Sequence, residues 1–170
     1  MTLTVAALSE LDRPAFVAAL EGVFEHSPWV AERAWLRRPF ADRADLLRAL
    51  VEAMRAADPV LQVALIRAHP ELAGRAAAAG ELTAESTKEQ RGAGLNACSR
   101  QEVDTLRDLN ARYRERFGFP FVIAVKGLSP ADIVATMRSR LERTQAAEHD
   151  EALEQIGRIA GFRLDAKLSA

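Results

Sequence analysis

Residues 99–125 read SRQEVDTLRDLNARYRERFGFPFVIAV, and this stretch decides between a helical and a mixed fold. Ser99, with Glu102 three residues on, has the form of a capping box: the serine oxygen takes the N3 amide while the glutamate returns to the N-cap amide. Behind it Val103, Leu106, Leu109 and Tyr113 recur at helical spacing. Gly118 suits the left-handed end of that helix, and Pro120 prevents its continuation. What remains is Phe119 to Val125, FPFVIAV, the only strand-like run in the chain. One buried strand has no evident partner for its backbone groups, so an extended core connector is expected there.

Working outward, the same punctuation recurs as a polar residue followed by proline, which reads as an N-cap and a first helical position. Ser27-Pro28, Asp58-Pro59, His69-Pro70 and Ser129-Pro130 each precede apolar residues at helical spacing. Further helices are expected near Asp12 and Asp42. A last one is expected from about His149 to Lys167, with Leu153, Ile156, Ile159 and Ala160 facing inward. The stretch Gly74 to Gly94 is rich in small residues and weakly periodic, which fits a less regular segment beside a site. The expectation is an all-α fold: a single compact domain over residues 1–170, with about seven or eight helices around one core.

Composition narrows the function classes. The chain has 170 residues, 49% hydrophobic and 28% charged, and its 23 basic residues against 24 acidic ones give no surplus for neutralising phosphates. No nucleic-acid partner is expected. The apolar run Val60 to Ile66 is interrupted by Gln62 and followed by Arg67, well short of the roughly 20 residues that cross a bilayer, so no membrane partner is expected. The opening MTLTVAALSELDR lacks a basic region followed by a sustained apolar one. With a single cysteine, Cys98, read as a small packing residue, a reducing cytoplasmic compartment is expected.

Side chains that could carry chemistry are few. No two of His26, His69 and His149 have the short spacing of a zinc helix, and no GxxxxGK[ST] or GxGxxG occurs, so neither metal nor nucleotide cofactor is expected. Catalysis, if present, is side-chain acid/base work. His69 leads because Pro70 biases it toward extended backbone and would open a helix; the positive end of that helix would favour a neutral imidazole. The alternative is a histidine that only caps or packs. Ser86 and Glu89 form S-x-x-E, a capping box by pattern, or else Ser86 and Gln90 bind a polar ligand while Glu89 orients a histidine. Arg163 extends the inward stripe of the last helix, where it either clamps a carboxylate ligand or snorkels to water. His26 ranks below His69, and His149, among Glu148, Asp150 and Glu151, reads as solvated.

Five segments taken in order resemble one family: FEHSPWVAERA at 24–34, RAHPEL at 67–72, STKEQRGAGL at 86–95, LNARYRERFGFPFVIAVKG at 109–127 and IGRIAGFRL at 156–164. They are similar to the 2-oxo-4-hydroxy-4-carboxy-5-ureidoimidazoline (OHCU) decarboxylases, which complete the conversion of urate to S-allantoin. The resemblance implies an all-α, cofactor-free homodimer acting on a small molecule. It implies His69 as the acid/base with Glu89 beside it, Pro70 lining the pocket, and polar contacts from Ser86, Glu89 and Gln90. It further implies backbone contacts from Phe121, Val122, Ile123, Ala124 and Val125, and matches Arg163 to the family's closing arginine. The chain ends LDAKLSA without the S-K-L address of peroxisomal forms, in keeping with the cytoplasm. Two other readings stand beside this one: a non-catalytic helical module that binds a ureide or purine breakdown product, and a structural dimer in which the same residues are only caps.

Overall fold

Side-chain caps begin most of the helices. The computed structural model describes residues 3–169. In chain order the helices are α1 Val5–Glu10, α2 Arg13–Ala19, α3 Trp29–Ala34, α4 Arg43–Arg55, α5 Pro59–Ala68, α6 Arg75–Ala79, α7 Ala84–Gly92, α8 Arg100–Phe117, α9 Pro130–Leu141 and α10 Gln145–Lys167. Short 3-10 turns cover Trp35–Arg37 and Leu95–Ala97. No strand occurs among the described residues, and 120–125 run without regular structure, so the all-α class and the connector hold. The helices outnumber the seven or eight expected because α1 and α6 span only 6 and 5 residues. Pieces that short show no readable period.

The caps at Asp12, Asp42, Ser99 and Ser129 form as read, each accepting the amide three residues on. Asp58 Oδ1 takes the amide of Val60 at 2.8 Å, and Gly118 closes α8 at φ 78°. Other starts differ. α3 begins after Pro28 rather than at it. α10 begins at Gln145, four residues ahead of His149, because Thr144 accepts the Ala147 amide at 3.2 Å.

Backbone contacts group the chain into two compact units: Met1–Ala68 with Ile156–Ala170, and His69–Gln155. In the first, α3 packs on α4 and α2 on α3. Leu8, Phe16, Leu46, Leu50, Met54, Leu65 and Ile66 are fully buried, each such side chain contributing about 1.5–3 kcal/mol. Gly157 and Gly161 bring the end of α10 close to α4: added Cβ atoms would lie 3.6 Å from Val51 and 3.4 Å from Leu47.

In the second unit α8 packs on α9. Leu106, Leu109, Asn110, Tyr113 and Phe117 form the buried stripe of α8. Tyr113 meets Phe117 at 4.6 Å and stands edge-on to Phe121 at 5.3 Å, so the aromatic cluster seats the connector.

Candidate functional site

His69 is buried, with 7% of its surface exposed. It does not begin a helix. α5 ends at Ala68 and the next helix starts at Arg75, so the imidazole lies beyond the carboxyl end of α5, and the dipole argument for a neutral ring lapses. Distant side chains explain why Pro70 opens no helix. Gln90 Oε1 accepts the amide of Ala73 at 3.0 Å, Gln90 Nε2 donates to the Glu71 carbonyl at 3.4 Å, and Asn110 Nδ2 donates to the Leu72 carbonyl at 3.0 Å. Each such bond is worth about 0.5–1.5 kcal/mol and takes a backbone group that a helix would need. The chain turns instead, with Ala73 at φ 51° and Gly74 folded back on Glu71. Arg114 Nη1 lies 2.7 Å from Glu71 Oε1; the charges are close although the N–H does not point at that oxygen.

The capping box at Ser86 is also corrected. Thr83 is the N-cap of α7, accepting the Ser86 amide at 3.2 Å, which puts Ser86 within the first turn. Ser86 and Gln90 are one helical turn apart and both buried, at 3% and 5% exposed, and Glu89 adjoins them half-buried. α7 therefore presents three polar side chains on adjoining positions, and the bonds of Gln90 bring that helix onto the turn after His69-Pro70. The segment 74–94 is more regular than its composition suggested, since it carries α6 and α7.

The connector is pinned by a different set. Arg140 Nη1 donates to the Val122 carbonyl at 2.8 Å, and Gln155 Oε1 accepts the Ala124 amide at 3.0 Å. Among the described residues the amides of Phe121, Val122, Ile123 and Val125 have no acceptor within the chain. Arg140 is itself held by Glu148 at 2.7 Å, and Glu148 also takes the Tyr113 hydroxyl at 2.6 Å and Arg143 at 3.1 Å. Burial first, then the hydrogen bond to Glu148, pushes the Tyr113 hydroxyl well above its ordinary value. Glu148 is fully buried, not part of a solvated charge run, and the Nε2 of the adjoining His149 is buried as well. Sequence reading missed Asn110, Arg140, Glu148 and Gln155. The available signal was a polar residue inside an apolar stripe, which Asn110 and Gln155 both show.

Arg163 belongs to the other unit. Its guanidinium neither snorkels nor waits for an external carboxylate alone: Nη1 donates to Glu25 Oε2 at 2.6 Å and to the Gly22 carbonyl at 2.9 Å. Glu25 is 2% exposed, so this is a buried pair within FEHSPW and α10. The next residue, His26, is exposed with φ 46°. Cys98 contacts the Gly94 carbonyl, and burial, then the Glu102 charge, raises its thiol above the ordinary value, which suits packing and not attack. No metal-binding cluster occurs among the described residues, and none of their helices is long and apolar enough to cross a membrane.

Fold and site describe an all-helical protein whose buried polar side chains are a histidine, serines, amides and paired charges. Comparison with known proteins narrows this. A sequence model of the family described as OHCU decarboxylase matches residues 9–165. A 2-oxo-4-hydroxy-4-carboxy-5-ureidoimidazoline decarboxylase of Haloferax volcanii is 42% identical over 99% of this chain and 98% of its own. A uric acid degradation bifunctional protein of Bacillus subtilis is 39% identical over 95% of this chain and 32% of its own. Among solved structures, an (S)-allantoin synthase superposes with a TM-score of 0.79 at 25% identity, covering 98% of this chain and 54% of that one. An OHCU decarboxylase crystallised with (S)-allantoin shares the fold at a TM-score of 0.70 and 19% identity, over 85% of this chain and 93% of that one. The chain belongs to the OHCU decarboxylase family, a family of carbon dioxide-releasing lyases.

Proposed function

We propose that this chain removes carbon dioxide from 2-oxo-4-hydroxy-4-carboxy-5-ureidoimidazoline and yields S-allantoin, with His69 as the acid/base. The observation that carries the reading is the near-complete alignment with the Haloferax volcanii decarboxylase. The buried His69-Pro70 turn, onto which Gln90 brings α7, supports the residue assignment.

The substrate bears its carboxylate and a hydroxyl on one ring carbon, beside the carbon that carries the ureido group. The bond to the carboxylate breaks, and its electron pair passes through the ring to the nitrogen doubly bonded to the ureido-bearing carbon. His69 takes the hydroxyl proton and returns it to the ureido-bearing carbon on one face, while a solvent proton neutralises the ring nitrogen. Single-face delivery makes the product one enantiomer. Glu89 holds the imidazole tautomer, Ser86 and Gln90 bond the polar edge, and Pro70 lines the ring. Backbone amides among Phe121 to Val125, which apart from Ala124 have no acceptor among the described residues, stabilise charge on the ring oxygen. Arg163, which the resemblance matches to the family's closing arginine, is paired with Glu25. By family resemblance the enzyme acts as a cytoplasmic homodimer.

The test is to add the protein to freshly generated substrate and follow both carbon dioxide release and optical activity. Release faster than spontaneous decay, with S-allantoin accumulating, is the expected result. Tight binding of substrate or product without faster decay would replace the reading with that of a binding module.

A further inference from the structure

Asn110 lies on the buried stripe of α8 at 2% exposure, among Leu106, Leu109 and Tyr113, where an apolar side chain would pack at no cost in desolvation. Among the described residues its carboxamide has one bond, Nδ2 to the Leu72 carbonyl at 3.0 Å. That bond fixes the amide's orientation, since turning it over would set oxygen against oxygen. Oδ1 is then left buried and without a donor among the described residues. A buried amide with half its capacity unspent is poorly explained by stability alone, because leaving such a group unsatisfied is unfavourable.

Its position along the chain explains it better. Leu72 is three residues from His69, and Pro70 stiffens what lies between: the ring fixes its own φ and restricts the backbone of His69. Holding the Leu72 carbonyl therefore restrains the backbone that carries the imidazole. Gln90 grips the same turn from α7 through Ala73 and Glu71, and Asn110 grips it from α8.

We propose that Asn110 is a positioning residue for the decarboxylation, orienting His69 through the Leu72 carbonyl. This rests on His69 being the acid/base. Displacing a reacting group by about 1 Å can reduce rates roughly 100-fold, so losing the Asn110 bond should lower kcat about 10- to 100-fold with KM within about threefold.

Two near-isosteric variants test it, with kcat and KM taken per folded molecule and folding checked by circular dichroism. Asn110→Leu removes both the donor and the unspent oxygen, and should fold while losing kcat. Asn110→Asp sets a carboxylate against the Leu72 carbonyl and should show the same loss at neutral pH. Its activity relative to wild type should recover as pH falls and the carboxyl regains a proton to donate. Wild-type kcat in the folded Leu variant, an Asp variant whose activity relative to wild type ignores pH, or unfolding of both would assign Asn110 to the fold and overturn the proposal. If the wild-type protein itself does not outpace spontaneous decay, the decarboxylase reading fails and Asn110 has no reaction to serve.

Discussion

Replacing Glu148 by glutamine keeps the side chain's shape and removes its charge, at a position that is 0% exposed and accepts from Tyr113, Arg140 and Arg143. Arg140 is the partner that decides the magnitude. Its side chain is 6% exposed, and without the carboxylate it keeps the Val122 carbonyl and its place 4.4 Å above the Phe121 ring, leaving a buried charge uncompensated. Removing one member of a buried pair costs about 3–5 kcal/mol. Arg143, 43% exposed, adds little, since solvent screens such pairs to about 0–1 kcal/mol. The low end, near 3 kcal/mol, is expected because glutamine still offers one acceptor. For a chain of this size that lowers the melting temperature by roughly 6–12 °C. Urea denaturation followed by circular dichroism measures it, and Arg140→Met completes a double-mutant cycle. The double variant should lose less than the sum of the singles, because no orphaned charge remains. A loss below about 1 kcal/mol for Glu148→Gln, or strict additivity, would refute the reasoning.

Tyr113 is the single tyrosine, and burial with the Glu148 carboxylate holds its hydroxyl above the ordinary value of 10.0. The unfolded chain therefore releases this proton first; the Tyr113 contribution to stability should be level below about pH 10 and be lost above it. Tyrosinate absorbance should rise only as the helical signal is lost, and a reversible titration near pH 10 with the fold intact would contradict this. Gly74→Ala would set a Cβ 2.9 Å from the Cβ of Glu71, within the same turn. It should cost about 1–3 kcal/mol in denaturant titration and lower turnover with it, and a neutral effect would count against the turn's rigidity. Ser129→Ala removes the oxygen that accepts the Asp132 amide at 3.2 Å, and should cost about 1 kcal/mol while leaving kcat unchanged.

Local chemistry was the readable part of this sequence. The box at Ser99, the caps at Asp12, Asp42 and Ser129 and the glycine stop at 118 all depend on residues within four positions, so the pattern carried them. The errors share a cause of the opposite kind. His69-Pro70 has the local form of a helix start, but Gln90 and Asn110, 17 and 38 residues from the backbone groups they hold, impose a turn. Glu148 and His149 look solvated beside Asp150 and Glu151, yet Glu148 is drawn inside by Tyr113, 35 residues earlier. At Ser86 two N-cap patterns compete only three residues apart, and Thr83 wins, which places Ser86 and Gln90 on the buried side of α7. Family resemblance named the candidate residues as a set, and it named neither Asn110 nor the Arg140–Glu148 pair that pins the connector.

The most direct measurement is circular dichroism of the allantoin formed from fresh substrate with wild-type protein, with folded His69→Ala protein, and with none. Acid/base residues contribute about 10²–10⁴-fold in rate. Rapid S-allantoin with wild type, and racemic product at close to the spontaneous rate with His69→Ala, is the predicted outcome. Fast, enantiopure product from the His69→Ala protein would contradict the assignment of His69, and racemic product at the spontaneous rate from wild type would contradict the reaction itself.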